Sequence, residues 1–510
     1  MKKILKYLGL LLITLTLSEC DLNVIPQDAL TGEQITNTSD GLSSLVNGLY
    51  AIFKESSGNN CYLRQYYQMS DFASDDIVCA YKTEDDLINS FRYKDRSAEK
   101  SNINYFWEMS YKIIYGANVA ISMADLKGDD PFTNQLKGES YFLRAFATHN
   151  LVRFFAKPYS IANKLQPGVI IRESKSDNMP KARATLEDTY RYIISSLKKA
   201  ESVMSEEMPS ERNNDKHRFA SIYSVWSMLS RVYLYKGELD SCILYSDKLI
   251  NSGMFELETA DNFPGYFADA KEGSESIWLI PYNLIDDQLN GSVASMIFNG
   301  GSNCWAEEGA SSSILEDMGY GTSMVDIDQR WKYIVTDAAV VKNGVNMFYI
   351  SKFSGQDGSP TLSSPVMFRL AEIYLNRAEA YAKKDDVANA VADLNTLLEN
   401  RLIVPEGENI DDYLYDEASI TSGEILDVVL KERRIELAFE GHRIFDLLRN
   451  GKDVVRNYWG FHLDTYNGMP SGSEPGLDEP GVLFHFSDPE LIYPIPSSEI
   501  STNKLCVPNK

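Results

Sequence analysis

Three pairs of neighbouring carboxylates, Asp75-Asp76, Asp85-Asp86 and Asp286-Asp287, are the first residues in this chain to suggest chemistry. Two carboxyl groups flanking a sugar bond are what a glycoside hydrolase requires, one as acid and the other as base or nucleophile. With 73 acidic residues in 510, however, adjacent pairs arise by chance. Nothing else in the chain supplies catalytic grammar. There is no G-x-S-x-G elbow, no glycine-rich phosphate loop and no cluster with metal-ligand spacing. The five histidines are scattered, and His149 falls in a helical pattern that marks it as structural. The six cysteines form no C-x-x-C pair, which argues against a zinc ribbon or a thioredoxin-like centre. Cys61 and Cys79 are equally open to a disulfide and to two buried thiols. The reading is a binding protein without a cofactor. A bound calcium is conceivable among so many carboxylates, but no loop has EF-hand spacing.

The aromatic residues offer a different chemistry. The chain has 30 Tyr, 22 Phe and 6 Trp. Flat aromatic faces with polar groups at their edges suit ligands that are apolar on one side and hydroxylated on the other. Candidate ligand contacts lie in stretches rich in Gly, Ser, Asn, Asp and Pro. They are Arg64, Tyr66, Tyr67, Tyr81 and Tyr93 in 56–104, and Tyr282, Trp305 and Tyr320 in 252–365. Trp305 leads because its setting, Gly300-Gly301-Ser302-Asn303-Cys304-Trp305-Ala306-Glu307, is a loop that exposes side chains. Trp107, Trp226 and Trp278 fall in patterned segments and read as core.

The elements that position these residues read as helices. Residues 39–54 put Leu42, Leu45, Val46, Leu49 and Phe53 on one face. Helical patterns follow over 105–126, 133–155 and 185–204. Two pairs follow, 219–236 with 239–251 and 367–383 with 387–400, and 423–449 forms a long final helix or two. Trp226, Leu229, Ser230 and Tyr233 match the tetratricopeptide pattern W-x2-L-G-x2-Y with Ser for Gly, and a weaker match centres on Tyr381. The two units are too far apart for a contiguous array. The irregular stretches 56–104, 156–184, 252–365 and 450–510 therefore read as insertions on a helical scaffold, and insertions of that length carry function. Short β-like runs occur at 276–281 and 345–352.

In 431–452, KERRIELAFEGHRIFDLLRNGK, an apolar helix face alternates with dense opposite charges. Each acid has an arginine neighbour that would hold it ionised, which suits an ion-pair lock better than a general acid.

The first twenty residues, MKKILKYLGLLLITLTLSEC, form an export signal: basic Lys2, Lys3 and Lys6, an apolar core to Leu17, then a lipobox-like tail ending in Cys20. The usual small residue before the cysteine is replaced by Glu19. The apolar run is about ten residues, short of the ~20 that cross a bilayer. Acylation of Cys20 would tether the chain to a membrane. Losing three lysines and one glutamate with residues 1–19 takes the formal charge from −24 to −26. That excludes nucleic acid and adsorption to anionic lipid as natural partners.

Several ordered motifs resemble those of the SusD/RagB-like outer-membrane lipoproteins. Cys20-Asp21-Leu22 with Pro26 resembles the family's start, and Leu42–Tyr50 its first helix. Ser74-Asp75-Asp76 is similar to its acidic turn, and Trp107, Tyr111, Ile114 and Asn118 to its W-x3-Y-x2-I-x3-N helix. Gly138-Glu139 with Phe142–Phe146 resembles its GEA-x2-LRA helix. Arg369–Tyr381, Glu432–Asp446 and Leu491–Ile500 resemble its remaining signatures, with Ile444 where the family often has Trp. The resemblance implies a mainly α fold of tetratricopeptide-like helix pairs with long irregular insertions and a few short strands. Residues 1–19 would be the signal peptide, 20–38 the tether and 39–510 a single domain. It further implies a lipid-anchored protein on the outer-membrane surface of a Gram-negative cell. Such a protein captures oligosaccharide, or a peptide or other nutrient, for a SusC-like TonB-dependent transporter, and is no catalyst.

Overall fold

The computed structural model describes residues 40–57, 60–80, 90–93, 98–213, 217–342, 344–461 and 475–509, with no side-chain detail at 336–340. Cys20, Asp85-Asp86 and Tyr81 lie outside the described residues. Helices of seven or more residues are numbered here, with strands of three or more. In chain order they are α1 (Gly41–Ile52), α2 (Tyr62–Ser70), β1 (Ile77–Cys79), α3 (Ser101–Lys127), α4 (Pro131–Phe155), α5 (Leu186–Val203), α6 (Ile222–Lys236), α7 (Leu239–Ile250), β2 (Ser276–Leu279), β3 (Glu308–Ala310), β4 (Ile334–Lys342), β5 (Val345–Ile350), β6 (Val366–Arg369), α8 (Leu370–Ala382), α9 (Val387–Glu399), α10 (Ile425–Glu436) and α11 (Arg443–Arg449).

The helices begin and end where their chemistry dictates. Asp130 caps α4 by accepting from the backbone N–H groups of Phe132 and Thr133, with Pro131 in the first turn. Ser221 and Ser224 cap α6 reciprocally, and Gly237 closes it at φ 80°, a left-handed position that suits glycine. Twenty of the 25 residues of α4 are buried, so this helix is central rather than amphipathic. It packs against α3 on one side and α5 on the other.

The two tetratricopeptide-like pairs, distant in sequence, meet in space: α7 lies against α8, extending the run from α6 through α9. Small residues make that approach possible. Ser230 and Ser246 share a 2.8 Å hydrogen bond, and Cys242 Sγ donates to the Asn376 carbonyl at 3.5 Å. The chain between the pairs leaves along β2 and returns along β6, which are antiparallel partners. Met367 therefore belongs to a strand, and α8 starts only at Leu370. Trp278 on β2 is fully buried, edge-on to Phe142 and Phe146 with centroids 5.0 Å away. Its Nε1–H donates to the Arg218 carbonyl at 3.1 Å. A second sheet, ordered β1-β3-β5-β4, ties the 56–104 stretch to the 252–365 insertion.

One reading of the sequence needs correcting, and the choice left open at 423–449 is resolved. The stretch 56–104 is not wholly irregular, because α2 forms there and is buried along almost its whole length. The 423–449 segment is two helices. Phe439 at φ 68° and Gly441 at φ 80° break it, and a Cβ on Gly441 would lie 2.4 Å from the Tyr66 ring. Its charges do form an ion-pair lock, but mostly with distant partners. Arg369 reaches Glu275, Glu436 and Glu440; Arg401 reaches Glu275 and Glu436. Arg433 binds Asp446, and Arg449 binds Glu379 and Asp446. Of these pairs only Arg449–Asp446 is a local helix pair.

Candidate functional site

The most exposed tryptophan with a built setting is Trp305, 53% exposed. Its indole is nonetheless fixed. Nε1–H donates to the Asn290 carbonyl at 3.1 Å, and the backbone N–H groups of Trp305 and Ala306 both donate to the Ser295 carbonyl. Ala306 at φ 52° and Leu289 at φ 48° provide the reversals that bring the two segments together. The Asn290 carbonyl is a hub: Arg64 Nη1 donates to it at 3.2 Å and Ser295 Oγ at 2.8 Å. Arg64, from α2, and Trp305, from the insertion, are thereby tied to one oxygen.

The loop carrying Asn290 is itself anchored. Lys54 pairs with Asp286, which also accepts from the Asn283 backbone N–H at 2.6 Å. Asp287 accepts from Ser359 Oγ and Thr361 Oγ1, both at 2.9 Å, and from Leu289 N–H at 2.9 Å. This joins the loop to the segment preceding β6. Arg64, Tyr282, Asp287, Gln288, Gly291 and Thr361 share one shallow crevice beside this loop. Outside it, Leu284, Ile285 and Leu289 are exposed, Ile285 almost completely.

The other candidates fall elsewhere. Tyr320 is half exposed, its ring edge-on to Phe348 at 5.3 Å. Tyr282 is a wall rather than a platform. It is buried beneath Lys54 Nζ, which sits 5.2 Å from its ring centroid, and burial pushes its hydroxyl pKa up. Tyr66, Tyr67 and Tyr93 are core residues, a correction to the expectation that they face a ligand. The reason is α2: Tyr66 packs edge-on to Phe154 and Tyr67 edge-on to Phe353. Tyr93 packs at a tilt against Phe484, centroids 4.4 Å apart, and donates to the Ala73 carbonyl.

The two described acid pairs, Asp75-Asp76 and Asp286-Asp287, are occupied by structural bonds. Asp75 and Asp76 are buried against Arg434 and Arg443. Burial opposes the charge of Asp75, but the two guanidiniums outweigh it and hold its carboxyl below the ordinary range. At Asp76 burial prevails and the pKa is raised. Cys61 and Cys79 are two buried thiols rather than a disulfide. Among the described residues no group of His, Cys, Asp and Glu could hold a metal ion, and no helix is long and apolar enough to cross a membrane.

A wider cleft, about 500 Å³, opens among the ends of α5, α6 and α7 and is rimmed by Glu206, Glu207, Glu256 and Glu272. It contains none of the candidates read from the sequence. What sequence reading missed at the platform is Asn290 and Lys54. The Asn290-Gly291 dipeptide was a turn signal that pointed to the first; Lys54 carried none.

Comparison with known proteins agrees with this architecture. A family model described as the SusD family matches residues 294–510. A second, described as starch-binding and associating with the outer membrane, matches residues 22–234. The chain is 24% identical over 498 residues to SusD-like protein P38 of Formosa agariphila, covering 87% of this chain and 91% of that protein. It is 25% identical over 545 residues to SusD-like protein P2 of the same organism, covering 98% of each. Among solved structures, a SusD superfamily protein from Bacteroides thetaiotaomicron aligns at TM-score 0.76 with 23% identity, covering 92% of this chain and 99% of that one. A putative sugar binding protein from Bacteroides vulgatus aligns at TM-score 0.75 with 24% identity, covering 92% and 98%. At that identity the likeness shows the fold.

Proposed function

The chain belongs to the SusD/RagB-like family, and from that premise we propose that it is a surface lipoprotein that captures oligosaccharide and delivers it to a TonB-dependent outer-membrane transporter. The observation that carries the binding half is the Trp305 platform. A pinned, half-exposed indole beside Arg64 gives a sugar ring a flat apolar face and a polar edge at a fixed distance from it. The anchored loop means that little side-chain freedom is lost on binding. Trp305 leads the ligand contacts, followed by Arg64 and then Tyr320, with Tyr282 shaping the crevice wall. Acylated Cys20 holds the body at the outer membrane, facing outward beside the transporter.

The protein binds and does not cleave. Affinity electrophoresis of the intact chain through a panel of polysaccharides tests this. Retardation by at least one glycan, without release of shorter products, is the expected result. Product release would overturn the binding-protein reading. Failure with every glycan alongside binding of peptides would overturn the choice of ligand.

A further inference from the structure

The crevice beside the Trp305 platform has a size and lining of its own. It offers about 30 Å³, room for two or three water-sized groups at roughly 10–15 Å³ each. Platform and crevice flank one turn. Trp305 Nε1 and Arg64 Nη1 both donate to the Asn290 carbonyl, and Arg64 and Gly291 line the crevice. The two nitrogens are no more than two hydrogen-bond lengths apart, so a substituent of a sugar ring resting on the indole reaches the crevice mouth.

The inner wall is apolar. It is built from Leu63 and Leu362, both buried, with Val293 and Pro365. The polar side chains on that wall are already engaged. Thr361 Oγ1 donates to Asp287, and Cys61 Sγ donates to the Phe53 carbonyl at 3.4 Å and lies 3.8 Å from the Tyr282 hydroxyl. A hydroxyl pushed inward would give up its water and find no new partner. A methyl group would lose nothing there and gain contact with apolar side chains.

The mouth differs. Gln288 Nε2 donates to the Asp286 carbonyl at 3.3 Å, which leaves its Oε1 as an acceptor. Ser363 Oγ, half-buried on the same rim, bonds to no other protein atom among the described residues and can donate. An acceptor and a donor at the rim, with an apolar end two or three atoms deep, match one common sugar substituent. In an acetamido group the N–H meets Gln288 Oε1, the carbonyl accepts from Ser363 Oγ, and the methyl packs on Leu63, Val293 and Leu362. A hydroxymethyl group would place its oxygen against the apolar wall instead.

We propose that this crevice is an acetamido subsite, so that the unit stacked on Trp305 is an N-acetylhexosamine. The proposal rests on the glycan-capture reading of the platform and narrows it to a substrate class.

Saturation-transfer NMR of the intact chain tests it, with the methyl glycosides of N-acetylglucosamine and N-acetylgalactosamine set beside those of glucose and galactose. At least one acetamido sugar should bind roughly tenfold tighter than its hydroxyl counterpart, for one buried methyl and one net hydrogen bond. Its acetyl methyl should receive the strongest saturation. Val293→Phe fills the crevice and should bring that sugar down to the level of its counterpart. Should Val293→Phe fail to fold, Ser363→Ala at the rim serves in its place and should lower the acetamido affinity several-fold. Equal binding within each pair overturns the subsite and leaves glycan capture standing, as does a preference that survives the folded variants. Silence of all these sugars, while a polysaccharide still retards the chain, also overturns the subsite alone. If no polysaccharide retards it either, both readings fall.

Discussion

Truncating Trp305 isolates the platform from the rest of the fold. The ring is 53% exposed, and a tryptophan offers up to about 250 Å², so roughly 130 Å² faces solvent. A pyranose covering half of that, roughly 65 Å², at about 25 cal/mol per Å² contributes about 1.6 kcal/mol. That is roughly 15-fold in Kd. Trp305→Ala should therefore weaken binding about 15-fold, read by titration calorimetry with the oligosaccharide corresponding to whichever polysaccharide retards the parent. Folding should be nearly unchanged, because the Asn290 carbonyl keeps Arg64 and Ser295 as donors. Trp305→Phe separates stacking from anchoring. It retains a flat face but no N–H, and should recover a substantial part of the loss. If Trp305→Ala binds within twofold of the parent, the stacking argument fails and the ligand lies elsewhere.

The remaining predictions concern the scaffold and the anchor. Glu436→Gln leaves Arg369, Arg401 and Arg330 without a shared buried carboxylate and should cost about 3–5 kcal/mol, measured by urea unfolding. Tyr66→Ala should cost about 3–5 kcal/mol of stability with no selective loss of ligand affinity, since the ring is core; a binding defect in a stable variant would restore Tyr66 to the site. Stability should fall as pH drops below about 4. Burial opposes the charge of Glu436 and Glu440, but Arg401, Arg369 and Lys352 outweigh it and depress both carboxyls in the folded state. Their contribution is complete above the unfolded-state pKa and is lost as pH falls towards the folded one; a flat profile from pH 5 to 3 would contradict this. Cys20→Ser should release the protein from membranes, and mass spectrometry of the parent should find an acylated Cys20 at the N-terminus.

The scaffold was legible because its signals are local. Period-3.6 apolar faces, the caps at Asp130 and Ser221 and the stop at Gly237 each lie within a few residues of the element they define. The ion-pair lock in 431–452 was legible as a lock but not in its pairing. Helical spacing suggested neighbours, whereas Arg434 binds Asp75 and Asp76, and Arg330 binds Glu432, across hundreds or about a hundred positions. The break at Phe439 and Gly441 was left open between one helix and two, because the charge and apolar pattern continues through it.

The site was the least legible part, and for a physical reason. Tyr66, Tyr67 and Trp305 all occur in stretches with loop-like composition, yet two are core and one is exposed. The difference is not in the residues themselves. Tyr66 and Tyr67 belong to α2, a nine-residue helix without a side-chain cap and too short to be stable alone, which forms because tertiary burial of its aromatics supplies what local propensity does not. Trp305 stays exposed because its one polar atom is satisfied at the surface by a carbonyl fifteen residues away. Had that N–H found a partner in the interior, as the Trp278 N–H does at the Arg218 carbonyl, the same residue would have been core. Whether a loop aromatic serves packing or recognition thus turns on where its hydrogen-bonding edge is satisfied. That is a property of contacts between insertions, which composition and spacing do not encode.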